Sequence, residues 1–147
     1  MRSNKGITLM MVIITVILLT IIAGLVIYNG IISYENSKVV KFQTYMKVLQ
    51  KKVDLLVEED NNYLSLGKAL TSEQKTKLED IMSKDNNVKT DNSSEEKLRY
   101  FSSVDLQKFF DIQDVEDEII INFANREVIS LNGVEKDGEM HYVESGL

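Results

Sequence analysis

Residues 7–32 read ITLMMVIITVILLTIIAGLVIYNGII. The stretch contains no charged residue, and its polar side chains are those of Thr8, Thr15, Thr20, Tyr28 and Asn29. As a helix it would extend about 39 Å, at ~1.5 Å per residue, and the hydrocarbon core of a bilayer measures only ~30 Å. The pattern therefore predicts a transmembrane helix over 7–32, from which the rest of the chain extends.

The six residues in front of this stretch read MRSNKG and carry two positive charges and no negative charge. By the positive-inside bias, Arg2 and Lys5 place this end in the cytoplasm and the C-terminal part outside the cytoplasmic membrane. An ordinary secretory signal is cleaved after its apolar core, at a pair of small residues. No such pattern follows here, so we expect any cleavage to occur before the apolar stretch.

The junction Lys5-Gly6-Ile7-Thr8-Leu9 resembles the K-G-[FIM]-T-L signature of the type IV pilin and pseudopilin family. The resemblance implies that 1–6 is a leader, which a prepilin peptidase removes by cutting after Gly6. It also implies N-methylation of the new terminal residue, Ile7. The implied partners are that peptidase, membrane lipid before assembly, and other pilin or pseudopilin subunits in a hetero-oligomeric filament at the cell surface.

Met11 departs from the family pattern, which usually has glutamate at the fifth position after the cut. In the family that carboxylate is thought to pair with the amino terminus of a neighbouring subunit. A charge in hydrocarbon costs ~2.5–3.5 kcal/mol on insertion scales and so needs a partner. Since Met11 offers no such partner, the resemblance implies a minor or initiating subunit, as for other members that lack the glutamate.

The composition restricts the possible functions and the size of the part beyond the membrane helix. The 147-residue chain has a formal charge of −6, and without Arg2 and Lys5 it has 15 basic and 23 acidic residues, a charge of −8. An acidic exported domain argues against direct nucleic-acid binding. Cysteine is absent, which excludes a disulfide framework and a thiolate metal site. About 115 residues remain after the span, enough for one small domain.

The helix is predicted to continue over 33–60, because apolar residues recur there at spacings of 3, 4, 3, 4 and 3. We expect this stripe to pack on the head and on neighbouring subunits. A self-contained coiled coil is the alternative, for which fewer than three heptads is short. The stripe consists of Val39, Phe42, Met46, Leu49, Val53 and Leu56.

The remainder, 61–147, is predicted to form a globular head. Thr71 and Gln74 fit a capping box that begins a helix over 72–84, and a second helix is predicted over 103–111. The adjacent Phe109 and Phe110 are expected to fill the core. Runs rich in β-branched and aromatic residues predict three antiparallel strands, at 118–124, 127–131 and 139–143. The expected fold is α+β: a long N-terminal helix packed on a small C-terminal antiparallel sheet, with short extra helices.

A second resemblance covers residues 105–131, which resemble the tail of pilin-like proteins common in Gram-positive bacteria. That pattern has glycine where this chain has Arg126, so the first hairpin turn is expected to be less tight. Asn125 precedes it and tolerates the left-handed conformation of a tight turn. Asp137-Gly138 is the signal of a type I′ turn in a second hairpin.

The polar window 85–96 reads DNNVKTDNSSEE. Oxygen ligands at Asp85, Asn87 and Glu96 match three positions of an EF-hand-like calcium loop. Lys89 occupies a position where a ligand is expected, and Thr90 one where the sharp turn requires glycine. We therefore predict a solvated loop, with a metal loop as the alternative.

No pattern in the sequence predicts an enzyme, a cofactor or a metal centre. The single histidine, His141, has no cysteine to join it and no acidic pair at metal-ligand spacing. The leading hypothesis is a pilin-like subunit of a type IV pilus or a type II secretion-like filament. The alternatives are an uncleaved single-pass membrane protein with a small extracellular binding domain and, disfavoured by the missing site, a membrane-anchored enzyme.

Overall fold

The computed structural model describes residues 5–90 and 92–147, which have an α+β fold. The α-helices in these residues are α1 (Lys5–Glu59), α2 (Ser72–Lys84) and α3 (Ser103–Phe110). The strands are β1 (Leu98–Phe101), β2 (Ile119–Asn122), β3 (Glu127–Ser130), β4 (Val134–Lys136) and β5 (Glu139–His141). Short 3₁₀ turns occur at Tyr63–Ser65, Asn92–Lys97 and Glu144–Gly146. The sequence predicts the extra helices over 72–84 and 103–111.

The chain divides into two compact units, the first ending at Ser37 and the second spanning Lys38–Leu147. We call the second unit the head. Helix α1 contributes to both units, and its last residue is Glu59. The amphipathic continuation, predicted over 33–60, therefore belongs to the head from Lys38 onward.

The stripe on α1 lies in the core of the head. Its first five residues, from Val39 to Val53, are buried, and Leu56 is half-buried at the edge of the same cluster. The cluster includes Phe101 of β1, Leu106 and Phe110 of α3, and residues of β2 and β3. Because the stripe follows the helical repeat, one face of α1 supplies a continuous apolar surface to the sheet.

The main sheet has three antiparallel strands in the order β1-β2-β3. In its register, Ile120 lies opposite both Tyr100 and Ile129. All four residues of β2 are buried. Ile119 and Ile121 pack in the cluster with α1, whereas Ile120 packs in a second cluster with α2. The sheet is thus covered on both faces.

The third strand of the main sheet differs from the prediction. The sequence predicts 139–143 as the third strand, but β5 pairs with β4 in a separate two-stranded sheet. The third strand is instead β1, which pairs with β2 from Leu98 to Phe101. The segment LRYF carries an arginine among apolar residues and shows little alternation, so its pairing depends on the partner strand.

The two hairpin turns are closed by residues with positive φ. Asp137 and Gly138 have φ of 54° and 84°, which confirms the type I′ turn expected between β4 and β5. In the first hairpin, Arg126 adopts φ of 61°. Asn125 supports that turn, since its Oδ1 accepts a hydrogen bond from the Glu127 N–H at 3.1 Å.

Gly67 is a glycine whose replacement should be costly. Its φ is 68°, and an added Cβ would lie 2.7 Å from Phe101 Cζ and 2.8 Å from the carbonyl oxygen of Tyr100. Gly138 has φ of 84°, but an added Cβ there meets no atom within 4 Å. Both alanine variants incur the backbone cost of about 1 kcal/mol, and only Gly67→Ala also forces core atoms apart.

We therefore expect Gly67→Ala to lower the melting temperature by well over the 4–8 °C that ~1 kcal/mol produces in a domain of this size. Gly138→Ala is the matched control and should stay near that range. Thermal denaturation followed by circular dichroism measures both. Equal melting temperatures for the two variants would contradict the close packing at Gly67.

Candidate functional site: exposed faces of helix α1

The first unit presents an unusual surface, because its large apolar side chains are exposed. Exposure exceeds one third for every large apolar residue described between 11 and 32. Twelve consecutive positions of a helix point in all directions, so 11–22 are apolar on every side apart from two threonines. The exposed residues are Met11, Val12, Ile13, Ile14, Val16, Ile17, Leu18, Leu19, Ile21, Ile22, Val26, Ile27, Ile31 and Ile32. An apolar surface of this kind marks a contact with lipid or with protein.

The two described threonines in this segment satisfy their hydroxyl groups within the helix. Thr15 Oγ1 donates to the carbonyl oxygen of Met11 at 2.8 Å, and Thr20 Oγ1 donates to that of Val16 at 2.8 Å. A hydroxyl bonded in this way needs no water or outside partner. Both positions are therefore compatible with apolar surroundings.

Among the residues described, no helix combines the length and the apolar character needed to cross a membrane.

Several residues of the sequence hypothesis lie outside the described part. Arg2 belongs to residues 1–4, which the structure does not describe. The backbone of Lys5, Gly6 and Ile7 belongs to α1, but their side chains are not described. The same holds for the other side chains up to residue 10 and for those at 25, 28 and 29. The leader, the cut after Gly6 and the span over 7–32 therefore stay predictions.

A second exposed apolar surface lies on the head portion of α1. Val40, Val48 and Leu55 are exposed, at 60%, 42% and 55%. Their spacings of eight and seven residues are close to two helical turns, which aligns them on one face. We call these three residues the outer row. The outer row lies opposite the buried stripe. Thr44, which lies between Val40 and Val48 in the sequence, donates its hydroxyl to the carbonyl oxygen of Val40 at 2.7 Å.

On the side of α1 that faces the sheet, a buried polar network connects the helix to the sheet. Tyr45 donates its hydroxyl to Asp117 Oδ2, and Ser130 Oγ donates to the same oxygen at 2.6 Å. Asp117 Oδ1 accepts the N–H of Glu118 at 2.8 Å. Burial, and then the neighbouring Asp117 carboxylate, raise the pKa of Tyr45 well above its ordinary value. The phenol, protonated at neutral pH like any tyrosine, acts as a donor that holds the helix in place.

The structure shows the surroundings of His141 and Asp85, two residues singled out from the sequence. His141 is half-buried in β5, and its Nδ1 has no hydrogen-bond partner among the described residues. Asp85 is buried at the end of α2, where its carboxylate accepts from Asn87 and, at 3.2 Å, from the N–H of Tyr142. The expectation of a solvated loop is therefore wrong for Asp85. The described residues contain no group of three or more His, Asp or Glu side chains placed to hold a metal ion.

The adjacent phenylalanines also differ from each other. Phe110 is buried and packs edge-on against Phe101, with ring centroids 5.3 Å apart. Phe109 is partly exposed beside Leu55, so the expectation that both fill the core is wrong for Phe109. On a short helix, two neighbouring positions lie about 100° apart, and only one of them can face the sheet directly.

Sequence reasoning missed the roles of Asp117 and of the outer row. Asp117 stands between Glu116 and Glu118, and nothing local distinguishes it from these two acids. The outer row carried a usable signal, since its apolar residues repeat every two turns opposite the stripe. Comparison with protein-family models, curated proteins and solved structures finds no match to this chain.

Proposed function

We propose that this chain is a pilin-like structural subunit, a minor pilin or pseudopilin, of a type IV pilus or a type II secretion-like filament. The observation that carries the proposal is the apolar exposed surface of α1 from Met11 to Ile32, on the helix that also forms part of the head core. The basic leader and the Lys5–Leu9 junction at its start support the same function. The role is mechanical, and the head is the part displayed outside the membrane.

In this proposal, residues 7–32 hold the subunit in the cytoplasmic membrane until assembly. A prepilin peptidase cuts after Gly6, and Ile7 is N-methylated. The apolar helix then leaves lipid and packs among like helices of other subunits. That transfer costs little, because apolar faces exchange lipid tails for equally apolar protein faces. The hydroxyls of Thr15 and Thr20 are bonded within the helix, so neither needs an outside partner in either environment.

The outer row is a second candidate assembly surface, on the head itself. Val40, Val48 and Leu55 cover no part of the head core and remain available to a neighbouring subunit. Packing of helix on helix through aligned apolar residues is the usual way in which such faces are buried. We therefore assign the stripe to the head and the outer row to the filament.

Met11 determines the proposed place of the subunit. It is exposed and uncharged, so it cannot neutralise the amino terminus of a neighbour. The amino terminus of such a subunit can pair with a glutamate of another subunit, but the subunit offers no glutamate in return. It therefore fits one end of a filament. This asymmetry favours a minor or initiating subunit over the bulk of the filament.

Site-directed cross-linking tests the assembly surface. Because the chain contains no cysteine, Val48→Cys carries a photoactivatable maleimide at a single defined position. In the cells that naturally produce the chain, we expect Val48→Cys to capture subunits with an apolar helix, whose precursors have a basic leader and a glycine junction. Met140→Cys, similarly exposed on the β4–β5 hairpin, is the matched control. Capture of no such subunit from Val48→Cys, or equal capture from both positions, would argue against assembly through α1.

A further inference from the structure

A groove on the head lies away from α1. Helix α2 covers the sheet face that is opposite to α1, and its Leu78 and Ile81 pack in the second core cluster with Ile120. Between α2 and the start of β1 this packing leaves a groove of about 220 Å³. Its position on the far face separates it from both the stripe and the outer row.

The floor of the groove is apolar. Leu70, Leu78, Met82 and Leu98 line it. Leu78 and Leu98 are buried, while Leu70 and Met82 are half-buried and present the accessible apolar surface. An apolar cavity of ~150 Å³ is large enough to bind benzene. The groove therefore has room for one large aromatic or branched side chain.

The rim of the groove is acidic. Glu79 comes from α2, and Glu95 and Glu96 come from the 3₁₀ turn that precedes β1. Lys75 lies among them and pairs with Glu95, with Nζ 2.9 Å from Oε2. Neither Glu79 nor Glu96 has an ion-pair partner among the described residues. The four side chains leave a formal charge of −2 around an apolar floor.

We propose that this groove binds a segment of a partner protein that inserts one large apolar side chain flanked by lysine or arginine. The apolar floor would bury the inserted side chain, and the unpaired carboxylates would attract the flanking cations. An acidic segment or an anionic small molecule would meet like charge at Glu79 and Glu96. The inference goes beyond the proposed function and does not depend on cleavage or on assembly.

A tryptophan-containing peptide is a direct probe, because the chain itself contains no tryptophan. The peptide has one tryptophan between two lysines on each side, and its emission shifts to the blue when the indole is buried. We expect the full chain, in non-ionic detergent micelles, to bind it saturably. Added salt should weaken the binding, since the rim charges are exposed and therefore screened.

Three variants distinguish binding in the groove from a general attraction of the peptide to an acidic protein. Glu79→Gln combined with Glu96→Gln should weaken binding about fivefold, as expected for two exposed charge pairs. Glu73→Gln, also exposed on α2 but outside the groove, should leave it unchanged. Ala69→Phe places a ring into the groove from an exposed position and should abolish the blue shift.

Three results would overturn the proposal: no saturable binding to the unmodified chain, full binding to Ala69→Phe, or equal binding of a peptide with glutamates in place of the lysines. Circular dichroism of each variant shows whether the head is still folded. The test involves no change at residues 5–7, so its failure would leave the proposed function standing.

Discussion

Substituting Phe42→Asp should unfold the head. Phe42 belongs to the buried stripe and is 4% exposed, and its ring packs edge-on against Tyr45 with centroids 5.4 Å apart. Loss of a buried phenylalanine costs about 3–5 kcal/mol, and a carboxylate at the same place adds the cost of an unpaired buried charge. Domains of this kind are stable by only about 5–15 kcal/mol in total. Chemical denaturation of residues 33–147, followed by circular dichroism, measures the change.

Val40→Asp is the matched control, with the same new side chain on the opposite face of the same helix. Since Val40 belongs to the outer row and lies outside the core, the change should alter the free energy of unfolding by only about 0.5 kcal/mol. The variant should fold and yet assemble poorly, because the charge would lie against a neighbouring subunit. Unfolding of Val40→Asp, or an unchanged transition for Phe42→Asp, would contradict the assignment of the two faces.

Gly6→Glu should leave the leader attached to almost every molecule. Glycine is the smallest residue, and at Gly6 it stands at the scissile bond that the resemblance implies. Glutamate adds a bulky negative charge directly at that bond, where a peptidase must admit the backbone. Immunoblotting or intact mass of the membrane-extracted variant would show a chain longer than the processed one by residues 1–6.

Asn4→Glu is the control for this change, because it adds the same charge and leaves the junction intact. We expect its leader to be removed. Complete removal of the leader from Gly6→Glu would mean that cleavage does not occur at this bond. Equal retention in both variants would mean that charge in the leader, and not the geometry of the junction, controls processing.

The sequence predicts those parts of the fold that rest on regular spacing. The stripe on α1 repeats over more than four turns, and the capping box of Thr71 and Gln74 uses residues three positions apart. Strands β2 and β3 lie within the predicted segments, which are rich in β-branched and aromatic residues. These signals are local, so no knowledge of the remaining chain is needed to read them.

The parts that could not be predicted depend on partners far away in the sequence. Asp117 is buried because Tyr45 and Ser130 reach it from α1 and β3. Asp85 is buried because the N–H of Tyr142 reaches it from a segment 57 residues away. Strand β1 is a strand because β2 pairs with it along its length. In each case the local sequence is that of an ordinary polar or mixed segment.

The candidate site was predictable to a similar extent. The apolar surface from Met11 to Ile32 follows directly from the composition of 7–32. The outer row can be predicted only after the buried stripe is known, because the stripe shows which face of α1 points outward. The groove beside α2 could not be foreseen, since Glu79 and Glu96 come together only after α2 and the turn before β1 have packed on the sheet.

The mature amino terminus decides whether the chain is processed as a pilin-like subunit. Intact mass and terminal sequencing of the chain extracted from the membranes of its natural host would identify the first residue. We expect a chain that begins at N-methylated Ile7 and lacks residues 1–6. A population that begins mainly at Met1 or Arg2 would contradict the pilin-like function and favour an uncleaved membrane protein with an extracellular binding domain.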